Sequence, residues 1–202
     1  MVGYSIYGMG ATTVGIRVKD GVVLTSEKRA SYGGYIVSRS VRKVFPINDR
    51  FGIACAGLFA DMQAISRMLR AEISYYEIEL KKRMKASAAA KLLANILYSY
   101  KLMPLLSETL FGGIDEEGAH LFVMDPLGSI IEDNYAAVGS GAPIAIGVLE
   151  SGYRESMSLD EARDLAIKAV RVAAERDAAS GDGIDLLVIT PSGLSEETLP
   201  IR

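Results

Sequence analysis

The 202 residues carry 22 Lys or Arg against 25 Asp or Glu, a formal charge of −3, and half of the chain is hydrophobic. That composition specifies one domain with a well-developed core, burying roughly 70% of the unfolded surface at this length. It excludes a dedicated nucleic-acid binder, which needs a clustered basic surface, and the lone Cys55 excludes an intrachain disulfide.

Met1 to Gly10 is too short for a secretory signal and has no basic n-region, and no long apolar span follows, so a cytoplasmic compartment is expected without membrane attachment. Strands are predicted over 12–19 and 22–27, joined by the turn pair Asp20-Gly21. Further strands are expected near 34–38, 43–46 and 51–56. Met62, Ile65, Leu69, Ile73, Tyr76 and Leu80 recur at helical spacing. The basic run Lys81-Lys82-Arg83-Met84-Lys85 reads as the solvated C-terminal end of that helix, where cations offset the helix dipole.

A second helix is predicted over 87–103, stopped by Pro104. Strands follow over 109–114, 120–125 and 129–132, the last two joined by Asp125-Pro126-Leu127-Gly128. A short helix is expected over 143–150. The next opens on Ser158-Leu159-Asp160-Glu161, a capping box. The apolar run 184–190 closes the order as a buried strand. Strands and helices in blocks, with no linker between them, predict one α+β layered domain over 11–202.

The chemical candidates thin out quickly. Imidazole catalysis would need His120, the single histidine, and it sits in an apolar strand beside Leu121, Phe122 and Val123, so a structural role is expected. One His and one Cys exclude a zinc cluster. Asp182 and Asp185, in a Gly-rich corner, read as turn residues rather than a cation site, and Gly139-Ser140-Gly141 lacks the rest of a phosphate-loop motif. No cofactor or metal is expected.

Gly10-Ala11-Thr12-Thr13-Val14-Gly15, Glu27-Lys28-Arg29 after the second strand, and Lys43 beyond it together resemble the N-terminal nucleophile hydrolases, specifically the β-subunits of archaeal-type proteasomes. Three later segments extend the resemblance through about 180 residues: Ala54-Cys55-Ala56-Gly57-Leu58, Val138-Gly139-Ser140-Gly141-Ala142-Pro143 and Arg176-Asp177-Ala178-Ala179-Ser180-Gly181. The resemblance sharpens the fold to a four-layer αββα sandwich, two stacked antiparallel sheets with helices on both outer faces. An α-type subunit would carry an N-terminal helical extension. The bacterial two-ring relative lacks the Tyr32-Gly33-Gly34-Tyr35 and Gly147-Val148-Leu149-Glu150-Ser151 features.

The resemblance also implies a threonine mechanism. A hydroxyl nucleophile needs a base, and an N-terminal threonine carries one in its own amine, whose unperturbed pKa lies near 8. Lys43, positioned by Glu27, would lower that pKa; the amide of Gly57 would stabilise the oxyanion; Ser140, Asp177 and Ser180 would surround the amine. By position, the pocket for the side chain preceding the cut involves Ala30, Val41, Phe45, Cys55 and Phe59, which suits a large apolar residue.

The nucleophile position, however, is Ala11. Without a γ-oxygen, peptide hydrolysis by this route cannot start there, nor can the chain attack the Gly10 carbonyl to release its own leader. Residues 1–10 are expected to remain as a propeptide. Thr12 is not expected to substitute, because adjacent strand residues face opposite ways. Every other matched position is intact, which favours a Thr→Ala variant over a natural subunit that lost catalysis and serves ring assembly. The implied partners are β-type neighbours in heptameric rings, a ring of α-type subunits, gating ATPases acting through it, and unfolded polypeptide. Helical residues 58–83 are candidate contact surfaces.

Overall fold

A computed structural model describes residues 10–32 and 35–201. Most of the expected leader, and Gly33 and Gly34 of the Tyr32–Tyr35 motif, lie outside the described residues. In chain order come β1 (Thr13–Val18), β2 (Gly21–Glu27), β3 (Ala30–Tyr32), β4 (Tyr35–Ser38), β5 (Val44–Pro46), β6 (Phe51–Gly57), α1 (Phe59–Leu80) and α2 (Ala86–Ser99). Then follow β7 (Ser107–Asp115), β8 (Gly118–Met124), β9 (Ile131–Glu132), β10 (Tyr135–Val138), α3 (Ala142–Gly152), α4 (Leu159–Arg176), β11 (Ile184–Thr190) and β12 (Gly193–Leu199).

Two five-stranded antiparallel sheets result, in the orders β10-β1-β2-β11-β12 and β5-β6-β7-β8-β9, with β3-β4 as a separate hairpin. Strand alternation sorts their side chains into three cores. Val22, Leu24, Ala54, Leu110, Leu121, Leu187 and Ile189 meet between the sheets. Phe51, Ile53, Cys55 and Phe111, one residue out of phase, pack against α1 and α2. On the far side Val14, Ile16, Val23 and Leu186 pack against α3 and α4. A sheet buried on both faces accounts for the burial of all of β2 and of β6 up to Ala56. Three cores between four layers make the αββα sandwich.

Several boundaries differ from those the sequence predicts. α2 ends at Ser99, short of 103, and Leu102 and Met103 beyond it are exposed. The strand predicted over 129–132 contracts to β9. α1 ends at Leu80, Lys81 adopts a left-handed cap conformation, and no basic residue lies in the last turn. The basic run therefore lies past the helix, with Arg83 paired to Asp49 and Lys85 to Glu117. The Ser158 capping box forms in both directions, with Glu161 N donating to Ser158 Oγ at 3.2 Å and Ser158 N to Glu161 Oε2 at 2.8 Å.

Candidate active site

Residue 11 stands at the entry to β1, clasped by the turn that follows β10. Ala11 N donates to Ser140 Oγ at 3.1 Å, and Gly141 N donates to the Ala11 carbonyl at 3.2 Å. Gly139 permits this approach: its φ is +94°, and a Cβ there would lie 2.3 Å from the Ala11 oxygen. Gly139 N is in turn held by Glu108 Oε2 at 2.8 Å.

Lys43 and Glu27 form a buried pair on the other side of the same residue. Both are nearly inaccessible, Glu27 at 0% and Lys43 at 3%. Lys43 Nζ donates to Glu27 Oε1, to the Arg29 carbonyl at 2.7 Å and to the Gly10 carbonyl at 3.5 Å. The second carboxylate oxygen of Glu27 receives Arg29 N at 2.7 Å and Gly181 N at 3.0 Å. Burial pushes the Lys43 pKa below the ordinary ammonium value and the Glu27 pKa above the ordinary carboxylate value, each opposed by the attraction of its partner. The ammonium thus points at the Gly10–Ala11 junction as an unusually acidic cation.

Asp177, just past the end of α4, gathers the remaining polar groups. Its carboxylate accepts Ser140 Oγ at 2.5 Å, Ser180 Oγ at 2.7 Å and Ala179 N at 3.1 Å. Gly57 terminates β6 with φ +145°, and the chain is fixed there by Leu58 N on the Leu106 carbonyl at 2.7 Å and by Leu106 N on Asp61 Oδ2 at 2.8 Å. Residues 10, 11, 27, 43, 140, 177 and 180 are therefore linked by hydrogen bonds, although they span most of the chain. Two links have no residue-type signal of their own: the Arg29 carbonyl on Lys43, a backbone atom that any residue there would supply, and Glu108 on Gly139, a single glutamate in a strand.

The five pocket residues differ in exposure. Ala30, Val41, Phe45 and Phe59 are partly exposed, whereas Cys55 is fully buried, its thiol 3.8 Å from Thr109 Oγ1 and its pKa pushed up to about 11 by burial. They do not line the apolar cleft beside Gly57 and Ser140, which has a volume of about 520 Å³ and is walled by Ala56, Pro104, Leu106 and Leu127.

The residues set aside as structural have partners. His120 Nδ1 lies 2.8 Å from Glu132 and Nε2 lies 3.4 Å from Asp115, with the ring stacked on Phe122. Asp182 is bridged by Arg29 and Arg39, and Asp185 by Lys28. No helix among the described residues is long and apolar enough to cross a membrane.

Comparison with known proteins supplies the family. The family model described as proteasome subunit matches residues 8–189. A protein of Hyperthermus butylicus named proteasome subunit beta 1 is 65% identical over 184 residues, covering 91% of this chain and 90% of that protein. One of the same name from Ignicoccus hospitalis is 61% identical over 92% of this chain and 93% of its own length. Proteasome subunit beta 2 of Pyrobaculum arsenaticum is 53% identical over 96% of each.

Proposed function

The chain belongs to the proteasome subunit family as a β-type subunit of the core particle, and from that premise we propose that its proteolytic centre is complete except for the attacking hydroxyl. The family makes it a peptidase subunit that assembles into core rings with α-type subunits. The observation that carries the proposal is the Lys43 ammonium, buried against Glu27 and aimed at the Gly10 carbonyl, beside a residue whose side chain is a methyl group.

With threonine at position 11, the hydroxyl would pass its proton to the chain's own amine and bond to the substrate carbonyl carbon. The carbonyl oxygen would take the negative charge, and the Gly57 amide would be the donor that stabilises it. The amine, held against Ser140, would hand the proton to the leaving nitrogen. Ala11 offers no oxygen, so no acyl bond forms. The same deficit leaves Gly10–Ala11 intact, and a nitrogen held in an amide is not a base. Residues 1–10 then stay attached as an unprocessed leader. The ring is heptameric, gating ATPases act through the α ring, unfolded polypeptide is the substrate of the active counterpart, and the particle is cytoplasmic.

A single Thr→Ala exchange in an otherwise intact centre accounts for this arrangement. A second reading is supported by the relatives, whose names number β subunits 1 and 2: a non-cutting β chain that shares a ring with a catalytic one. Activity of rings containing this chain with and without a second β-type chain separates the two. The proposal is tested by assembling particles from the Ala11→Thr chain and following a fluorogenic peptide. Turnover by those particles, and none by the chain as it stands, is expected. Inert Ala11→Thr particles that have shed the leader would contradict it.

A further inference from the structure

The protons around Asp177 can be assigned individually, and they lead to a residue outside the site described so far. A serine hydroxyl has one proton to donate. Ser140 has two acceptors in reach, Asp177 Oδ2 at 2.5 Å and the Ala11 carbonyl at 3.3 Å; the nearer, charged oxygen takes its proton, and toward the nitrogen of residue 11 it acts as the acceptor. Ser180 likewise donates to Asp177 at 2.7 Å. The 2.7 Å contact between Thr12 Oγ1 and Ser180 Oγ must then be donated by Thr12. Two arms of one polarity meet at the carboxylate: residue 11 N to Ser140 to Asp177, and Thr12 to Ser180 to Asp177. Thr12 is fully buried. Gly141 makes the room for it, since a Cβ there would lie 1.9 Å from Thr12 Oγ1.

We propose that Thr12 is a positioning residue of the proteolytic centre, its hydroxyl orienting Ser180 and Asp177 and, through them, the Ser140 oxygen that holds the nitrogen of residue 11. This rests on residue 11 being the nucleophile position. An amine acting as base must turn its lone pair toward the neighbouring hydroxyl, so its N–H bonds need a fixed acceptor elsewhere. Ser140 is such an acceptor only while its proton stays on Asp177. Without the Thr12 donor, the Ser180 hydroxyl is free to rotate away, and the carboxylate that orders Ser140 loses a support.

The test compares Ala11→Thr particles with Thr12 retained, Thr12→Val, which keeps the volume and removes the hydroxyl, and Thr12→Ser, which restores it. Leader removal is read by intact mass, and kcat and KM for a fluorogenic peptide over about pH 6 to 9. Thr12→Val is expected to lower kcat roughly tenfold, less than the ~100-fold of a 1 Å misplacement, with KM nearly unchanged. The charged groups facing the amine are Lys43 before β5, Glu27 at the end of β2, Arg29 beside it and Asp177 after α4. Only the compensation of Asp177 changes in the variant, so the ammonium gains and the acid limb of kcat moves to higher pH. Thr12→Ser should recover both readouts. If Thr12→Val particles fail to assemble, Thr12→Ala, which opens space without strain, should show the same two changes. An active parent with an unaltered Val or Ala variant, or a Ser variant impaired as much as Val, would overturn the proposal alone. An inert parent would overturn the reading of residue 11 and the proposal with it.

Discussion

Replacing Lys43 with alanine removes the ammonium bonded to a carboxylate that has no access to water. Breaking a buried pair from one side costs about 3–5 kcal/mol, because the surviving charge is left uncompensated. Glu27 keeps two backbone donors, Arg29 N and Gly181 N, which places the expected loss near the lower figure, about 3 kcal/mol. For a chain of this size that lowers Tm by roughly 6–12 °C. The pH dependence follows from the sign of the shift. Burial already raises the Glu27 pKa from 4.5 against the pull of Lys43, and without Lys43 it rises further. Above 4.5 and up to that raised value, the native state binds more protons than the unfolded state, so stability falls as pH rises. Thermal melts of the purified chain should therefore show Lys43→Ala closer to the parent near pH 5 than near pH 8. Glu27→Gln combined with Lys43→Met should recover most of the loss. A penalty under about 1 kcal/mol at pH 8, or one that grows on acidification, would refute the reasoning.

Gly57→Ala should destabilise the chain by at least ~2 kcal/mol, since φ is +145° and the new Cβ would fall 2.1 Å from the Leu106 carbonyl oxygen; thermal melts read it directly. Cys55, with its thiol pushed up to about 11, should resist thiol reagents at pH 8 until denaturant is added. Its contribution to stability is complete below pH 9.0 and lost as pH rises toward 11, at about 1.4 kcal/mol per unit, and Cys55→Ala should abolish that part of the alkaline slope in denaturant titrations. Ser158→Ala removes the side-chain half of the α4 capping box, the bond from Glu161 N to Ser158 Oγ, and should cost ~1 kcal/mol by the same titration.

Elements that bury a repeating face could be read from the sequence. The spacing from Met62 to Leu80 became α1, Ser158 marked the start of α4, and the β-branched run became β11. β12 escaped because Gly193–Leu199 is polar and largely exposed at a sheet edge, held by backbone pairing to β11 rather than by its own side chains. β10 and β3 are too short to show alternation. α2 was overextended because Leu102 and Met103 continue the apolar content without facing a core. At the site, Glu27, Lys43, Ser140, Asp177 and Ser180 were legible only through resemblance. Ser140 and residue 11 are 129 positions apart, and no local pattern encodes that contact. Thr12 was expected to face away from Lys43, and its link to Ser180 depends on the return of the chain after α4.

The intact mass of the assembled chain tests the central claim most directly. With Ala11 in place, the mass should include the leader through Gly10, and with Ala11→Thr in the same preparation it should fall by that segment. A chain cut between Gly10 and Ala11 as it stands, or an Ala11→Thr chain that folds, assembles and keeps its leader, would contradict the claim that one hydroxyl separates this centre from a working one.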